Sequence, residues 1–139
     1  MTRKASAVLA KIYKEAARRN VRIEITESTN IYAKDGGNAI SGIFIPPKRG
    51  GQGVIRVAKG SRNFYEFMLC ISHEFIHMRQ YFNGEDIYYS SNYYKLEKNT
   101  ELRAISFMKR NGMSQTFLKR VKSYSDRYLN NLKNGLVEC

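Results

Sequence analysis

Residues 63–84, NFYEFMLCISHEFIHMRQYFNG, decide how the chain is read. Asn63 followed by Glu66 has the spacing of a capping box at a helix N-terminus. Phe64, Phe67, Met68, Ile71, Phe75, Met78 and Phe82 then recur at helical intervals, and Asn83-Gly84 supplies a C-terminal stop. The helix so predicted carries both histidines of the chain, His73 and His77, with Glu74 directly after the first. Residues four apart share a helix face, so both imidazoles can present a ring nitrogen to one ion, and Glu74 lies one step round, beside that ion. This is the arrangement in which two neutral imidazoles hold Zn2+ and a carboxylate accepts a proton from the activated water.

Two histidines alone leave zinc under-coordinated, because a catalytic site usually keeps three protein ligands and a water. The chain has no third histidine, which leaves a downstream carboxylate: Asp86, Glu97 or Glu101. Glu97 and Glu101 are four apart on a helix predicted from about Tyr94 to Arg110, and Ala104 and Met108 continue the same stripe. If that stripe faces the histidine helix, either carboxylate can reach the ion.

Outward from this pair, Ala5, Val8, Leu9, Ile12, Tyr13, Ala16 and Ala17 mark an N-terminal helix ending near Asn20. The alternation in VRIEITES (21–28) marks a half-buried strand. Asp35-Gly36-Gly37-Asn38 sits between two strand-like runs as a hairpin turn, Pro46 and Pro47 stop the second run, and VIRVAK (54–59) is a further strand closed by Gly60. A last helix, Ser114 to about Lys133, places Phe117, Leu118, Val121, Tyr124, Tyr128, Leu129 and Leu132 on one face. The expected fold is a single α+β domain, residues 1–139: an N-terminal helix, a small three- or four-stranded twisted sheet, the histidine helix and two further helices.

The segment Glu101-Leu102-Arg103-Ala104-Ile105-Ser106-Phe107 resembles the ExxAxxF segment of small cytoplasmic or phage-borne proteases of the ImmA/IrrE type. Together with HEFIH and the preceding order of hairpin, strand and helix, about residues 38–108 resemble the gluzincin group of zincin metallopeptidases. The resemblance implies Zn2+ held by His73, His77 and Glu101, with Glu74 as general base in peptide-bond hydrolysis. Glu97 keeps a competing claim: its distance from His77 is closer to the thermolysin-like spacing, and Glu101 would then stand behind a ligand. Asp86 in GEDIYY is similar to the aspartate of other zincins, without the rest of their motif. After Phe107, MKRNG departs from the apolar ending of ImmA-like proteins, so the resemblance is to a minimal gluzincin of phages and mobile elements.

A protein or peptide substrate follows from that resemblance, with VIRVAK as the edge strand that aligns it. Tyr88, Tyr89, Tyr93, Tyr94 and Arg103 are candidates to stabilise an oxyanion. Arg79 and Gln80 either orient substrate or cap the helix, and Cys70, one turn before His73, reads as a buried structural thiol.

Lys and Arg total 24 against 12 acidic residues, a formal charge of +12, enough to attract polyanions. The rival reading is a nucleic-acid-binding protein with a structural or vestigial zinc, or a protease recruited to DNA-bound substrates; Lys119, Arg120, Lys122 and Arg127 interleave with tyrosines on the last helix. Cys70 and Cys139 suggest no disulfide framework, and the N-terminal apolar residues are interrupted by Lys11, Lys14 and Glu15. A cytoplasmic setting, in a bacterium or a phage-infected cell, and no membrane contact are expected. The oligomeric state is not encoded in any feature of the sequence.

Overall fold

A computed structural model describes residues 3–28, 31–32, 39–60, 62–87 and 93–134. The order is α1 (Arg3–Arg18), β1 (Val21–Thr26), β2 (Ile31–Tyr32), β3 (Ala39–Ile40), β4 (Gly42–Ile45), β5 (Gly53–Ala58), α2 (Phe64–Phe82), α3 (Tyr93–Arg110) and α4 (Gln115–Lys133). This is the α+β arrangement read from the sequence. β2 and β3 pair antiparallel, Ile31 with Ile40. The Asp35–Asn38 turn string, Tyr88, Tyr89 and Cys139 lie outside the described residues.

α1 buries Ala5, Val8, Ile12 and Ala16, one stripe at helical spacing. The chain leaves it through Asn20, whose φ of 59° is left-handed; asparagine tolerates that region better than most residues with a Cβ. β1 then runs parallel to β5, with Ile23 opposite Ile55.

The sheet order is β1-β5-β4, which corrects the expectation that VIRVAK is an edge strand. β5 is the central strand, buried along its length except at Arg56, and its near-continuous apolar run is what burial on both faces demands. The edge belongs to β4, which among the described residues pairs only with β5, antiparallel, Gly42 opposite Val57.

α2 lies across the sheet as the central element. The Asn63 side chain accepts from the backbone N–H of Glu66 and caps it, and the chain turns off after Asn83 at Gly84, φ 79°. From Phe67 to Met78 every residue of α2 is buried. Its apolar positions join α1, the sheet, α3 and α4 in one core through Ile12, Ile55, Ile71, Phe75, Phe107 and Val121. Burial on all sides means that the polar side chains of α2 must find partners inside the protein. No helix among the described residues is long and apolar enough to cross a membrane.

Arg79 ties three helices together. It donates two hydrogen bonds of 2.8 Å to Glu15 on α1 and lies 4.5 Å from the Phe75 ring and 5.0 Å from the Phe107 ring. Its role is therefore structural, and it points toward α1. Hydrogen bonding from Arg79 holds the Glu15 carboxyl below its ordinary value of 4.5. A depressed folded-state value stabilises above the ordinary value and loses that contribution as pH falls through the folded one. Glu15→Gln is expected to cost about 0.5–1 kcal/mol near neutrality, discounted for partial exposure. In urea unfolding series, the difference from wild type should shrink as pH drops below 4.5.

Candidate metal centre

His73 and His77 project from α2 toward α3, which returns Glu97 and Glu101 on one face; all four side chains are buried. Ala104, one turn beyond Glu101, is fully buried in the same stripe, where a methyl side chain permits close helix approach.

His73 Nε2 and His77 Nε2 are 3.0 Å apart. Glu97 Oε2 lies 2.6 Å from the first and 3.5 Å from the second. These three residues each offer a ligand atom to a common point. Although close to both rings, Glu97 Oε2 has no aligned hydrogen-bond partner among the described residues. Two imidazole nitrogens and a carboxylate oxygen thus crowd together in the interior, an arrangement in which one cation could be shared by all three.

The other ring nitrogens are held from behind. His73 Nδ1 donates to Glu101 Oε2 at 2.5 Å, and Glu101 Oε1 accepts from Ser125 Oγ of α4 at 2.8 Å. His77 Nδ1 donates to Gln80 Oε1 at 2.9 Å; Gln80 Nε2 donates to Thr100 Oγ1 at 3.1 Å, and Thr100 donates to the Leu96 carbonyl. Donation from each Nδ1–H fixes the tautomer that leaves Nε2 with a lone pair. Glu101, expected as the third ligand, is therefore engaged at Nδ1, and Glu97 completes the Nε2 cluster. Asp86 is exposed and outside it.

The donor set fits zinc. With bonds of about 2.0–2.1 Å, tetrahedral ligand atoms stand roughly 3.3 Å apart, and the three separations here bracket that spacing. Two imidazole nitrogens and a carboxylate oxygen also match zinc's ligand preferences. Burial works against a charge on His73, yet Glu97 and Glu101 on either side outweigh it and raise its pKa well above the usual imidazole value. Burial likewise disfavours a Glu97 carboxylate, but His73 and His77 override it and hold its pKa far below the ordinary one. The pocket is built to hold positive charge.

Glu74 faces the sheet side of this cluster. Its side chain is buried, Oε2 has no hydrogen-bond partner among the described residues, and burial raises its pKa. Gly42 of β4 makes the room for it: a Cβ at position 42 would come within 2.8 Å of Cys70 Sγ and 3.1 Å of Glu74 Cγ. The Cys70 thiol is thus buried packing beneath the edge strand. A cleft of about 230 Å³ opens beside the cluster, with Ser41, Arg62, Cys70, Glu101, Tyr128 and Asn131 in its lining.

Sequence reasoning found His73, Glu74, His77 and both glutamates but missed Gly42, Thr100, Ser125 and Tyr128. Ser125 had a signal, a small polar residue midway between Val121 and Leu129 on an apolar stripe. Tyr128 sets its ring at right angles to His73, centroids 6.0 Å apart. Of the expected oxyanion donors, Tyr94 is exposed and Arg103 pairs with Glu85 at 3.1 Å. No family model matches the chain, and neither the curated proteins nor the solved structures include a significant match.

Gln80→Leu removes the acceptor from His77 Nδ1 and the donor to Thr100 Oγ1 while keeping a side chain of similar size in a buried position. It should weaken zinc binding about 10- to 100-fold, measured by competition with a fluorescent chelator, with the helical circular dichroism retained.

Proposed function

We propose that the protein is a zinc-dependent metallopeptidase in which His73, His77 and Glu97 hold the metal and Glu74 is the general base. The observation that carries the reading is the convergence of two Nε2 atoms and Glu97 Oε2 on one point beside a buried Glu74 Oε2 that has no hydrogen-bond partner among the described residues. This ligand set departs from the one implied by the ImmA/IrrE resemblance, where Glu101 ligates; the geometry favours Glu101 as the residue that orients His73. A zinc ion held by these three residues would supply Lewis acidity toward a carbonyl and would lower the pKa of a water toward about 7.

The chain's own groups supply the rest. Among the described residues β4 has no strand partner on its outer edge, and it passes over Glu74 at Gly42, so pairing of an extended peptide with β4 would lay a scissile bond across the cluster. Glu74 Oε2 takes the proton from the attacking water and passes it to the leaving amine, a role that needs a carboxylate without a competing partner. Tyr128, edge-on to His73 in the lining of the same cleft, is placed to donate toward negative charge that develops on the carbonyl oxygen.

Purified protein should carry about one zinc per chain, and His73→Ala should lose it. Glu74→Gln should retain the metal yet lower cleavage of a labelled protein substrate by roughly 10²- to 10⁴-fold. Metal analysis alongside the cleavage assay checks both, and undiminished cleavage by Glu74→Gln excludes Glu74 as the base.

A further inference from the structure

Around the helices from the metal cluster, a second concavity of about 490 Å³ opens between the C-terminal parts of α1, α2 and α3. Its charged lining consists of Arg18, Arg19, Arg79, Arg103 and Arg110 against Glu15 and Glu85. Arg79 is matched by Glu15 and Arg103 by Glu85. No carboxylate among the described residues stands within ion-pair distance of Arg18, Arg19 or Arg110, leaving an excess of three positive charges, all exposed.

We propose that this arginine groove binds the phosphodiester backbone of a nucleic acid, independently of the metal centre. Every cation in the lining is an arginine, whose planar fork presents paired donors that match phosphate oxygens, a geometry lysine lacks. The two internal ion pairs hold Arg79 and Arg103 in the walls, and the three remaining guanidiniums come from the end of α1, Arg18 and the following Arg19, and from the last residue of α3, Arg110. That spread suits consecutive phosphates along a strand. Arg19 lies 5.1 Å from the ring of half-buried Phe82, giving a planar surface on which a base can stack. An acidic polypeptide offers the groove charge but neither the tetrahedral oxyanions nor the stacking partner. The formal charge of +12 draws a polyanion toward the molecule without selecting a face; the groove supplies the face. The placement differs from the α4 interface expected from sequence. There, Lys122 is matched by Asp126 at 2.8 Å, and Arg120 and Arg127 lie over the protein's own Tyr65 and Tyr124.

The test compares two triple variants of the full chain that lower the charge equally: Arg18→Gln/Arg19→Gln/Arg110→Gln in the groove, and Lys119→Gln/Arg120→Gln/Lys122→Gln on α4. Binding to fluorescent single-stranded and duplex oligonucleotides is read by anisotropy over a salt series. Zinc content and thermal melting check the fold of each variant. The groove variant should bind about tenfold or more weakly, with the magnitude of the log–log salt slope reduced by about 2 to 3; the α4 variant should fall much less. If the triple groove variant fails to fold, Arg18→Gln and Arg110→Gln singly should each reduce the slope by about one. Equal losses in the two triple variants, a larger loss on α4, no oligonucleotide binding by wild type, or competition by polyglutamate as strong as by nucleic acid would each overturn the proposal.

Discussion

The architecture depends on how charge is neutralised between α2 and α3. Glu97 and Glu101 are both buried against two imidazoles, and a carboxylate removed from water is tolerated only with opposite charge and hydrogen bonds close at hand. Two buried carboxylates beside the imidazoles make a site that favours positive charge, supplied by protonation of His73 or by a cation between the rings. The same requirement orders the surroundings. Ser125 must come from α4 to satisfy Glu101, and Gln80 and Thr100 must link His77 to α3. A low dielectric makes each of these contacts stronger and each loss more costly.

Much of this was legible in sequence because it rests on local periodicity. The capped start of α2 at Asn63, its end at Asn83-Gly84, the i, i+4 histidines and the i, i+4 glutamates are all short-range patterns. The choice between Glu97 and Glu101 was not. Both lie on the same stripe, and which one meets Nε2 depends on how α3 is seated along α2, a tertiary quantity. β5 was misjudged for a related reason: its apolar run suits a central strand, but its two neighbours, β1 in parallel on one side and β4 antiparallel on the other, are set by long-range pairing that local pattern does not encode. Gly42 was invisible for the same cause, since its lack of a side chain matters only once β4 is known to cross Glu74.

α2 and α3 carry two different surfaces. Their inner faces form the buried histidine and glutamate cluster. Around the same helices, Arg79, Arg103 and Arg110 meet the end of α1 in a positively charged groove. The proposed peptidase site and the proposed polyanion groove share these helices, so together they would bring a nucleic acid and a peptide to one small molecule.

Anomalous diffraction at the zinc absorption edge, from crystals of the zinc-loaded protein, identifies the metal ligands. A single peak is expected, bonded to His73 Nε2, His77 Nε2 and a Glu97 carboxylate oxygen, with Glu101 still accepting from His73 Nδ1. A peak ligated by Glu101 in place of Glu97, or no peak between the two histidines, would contradict this ligand set.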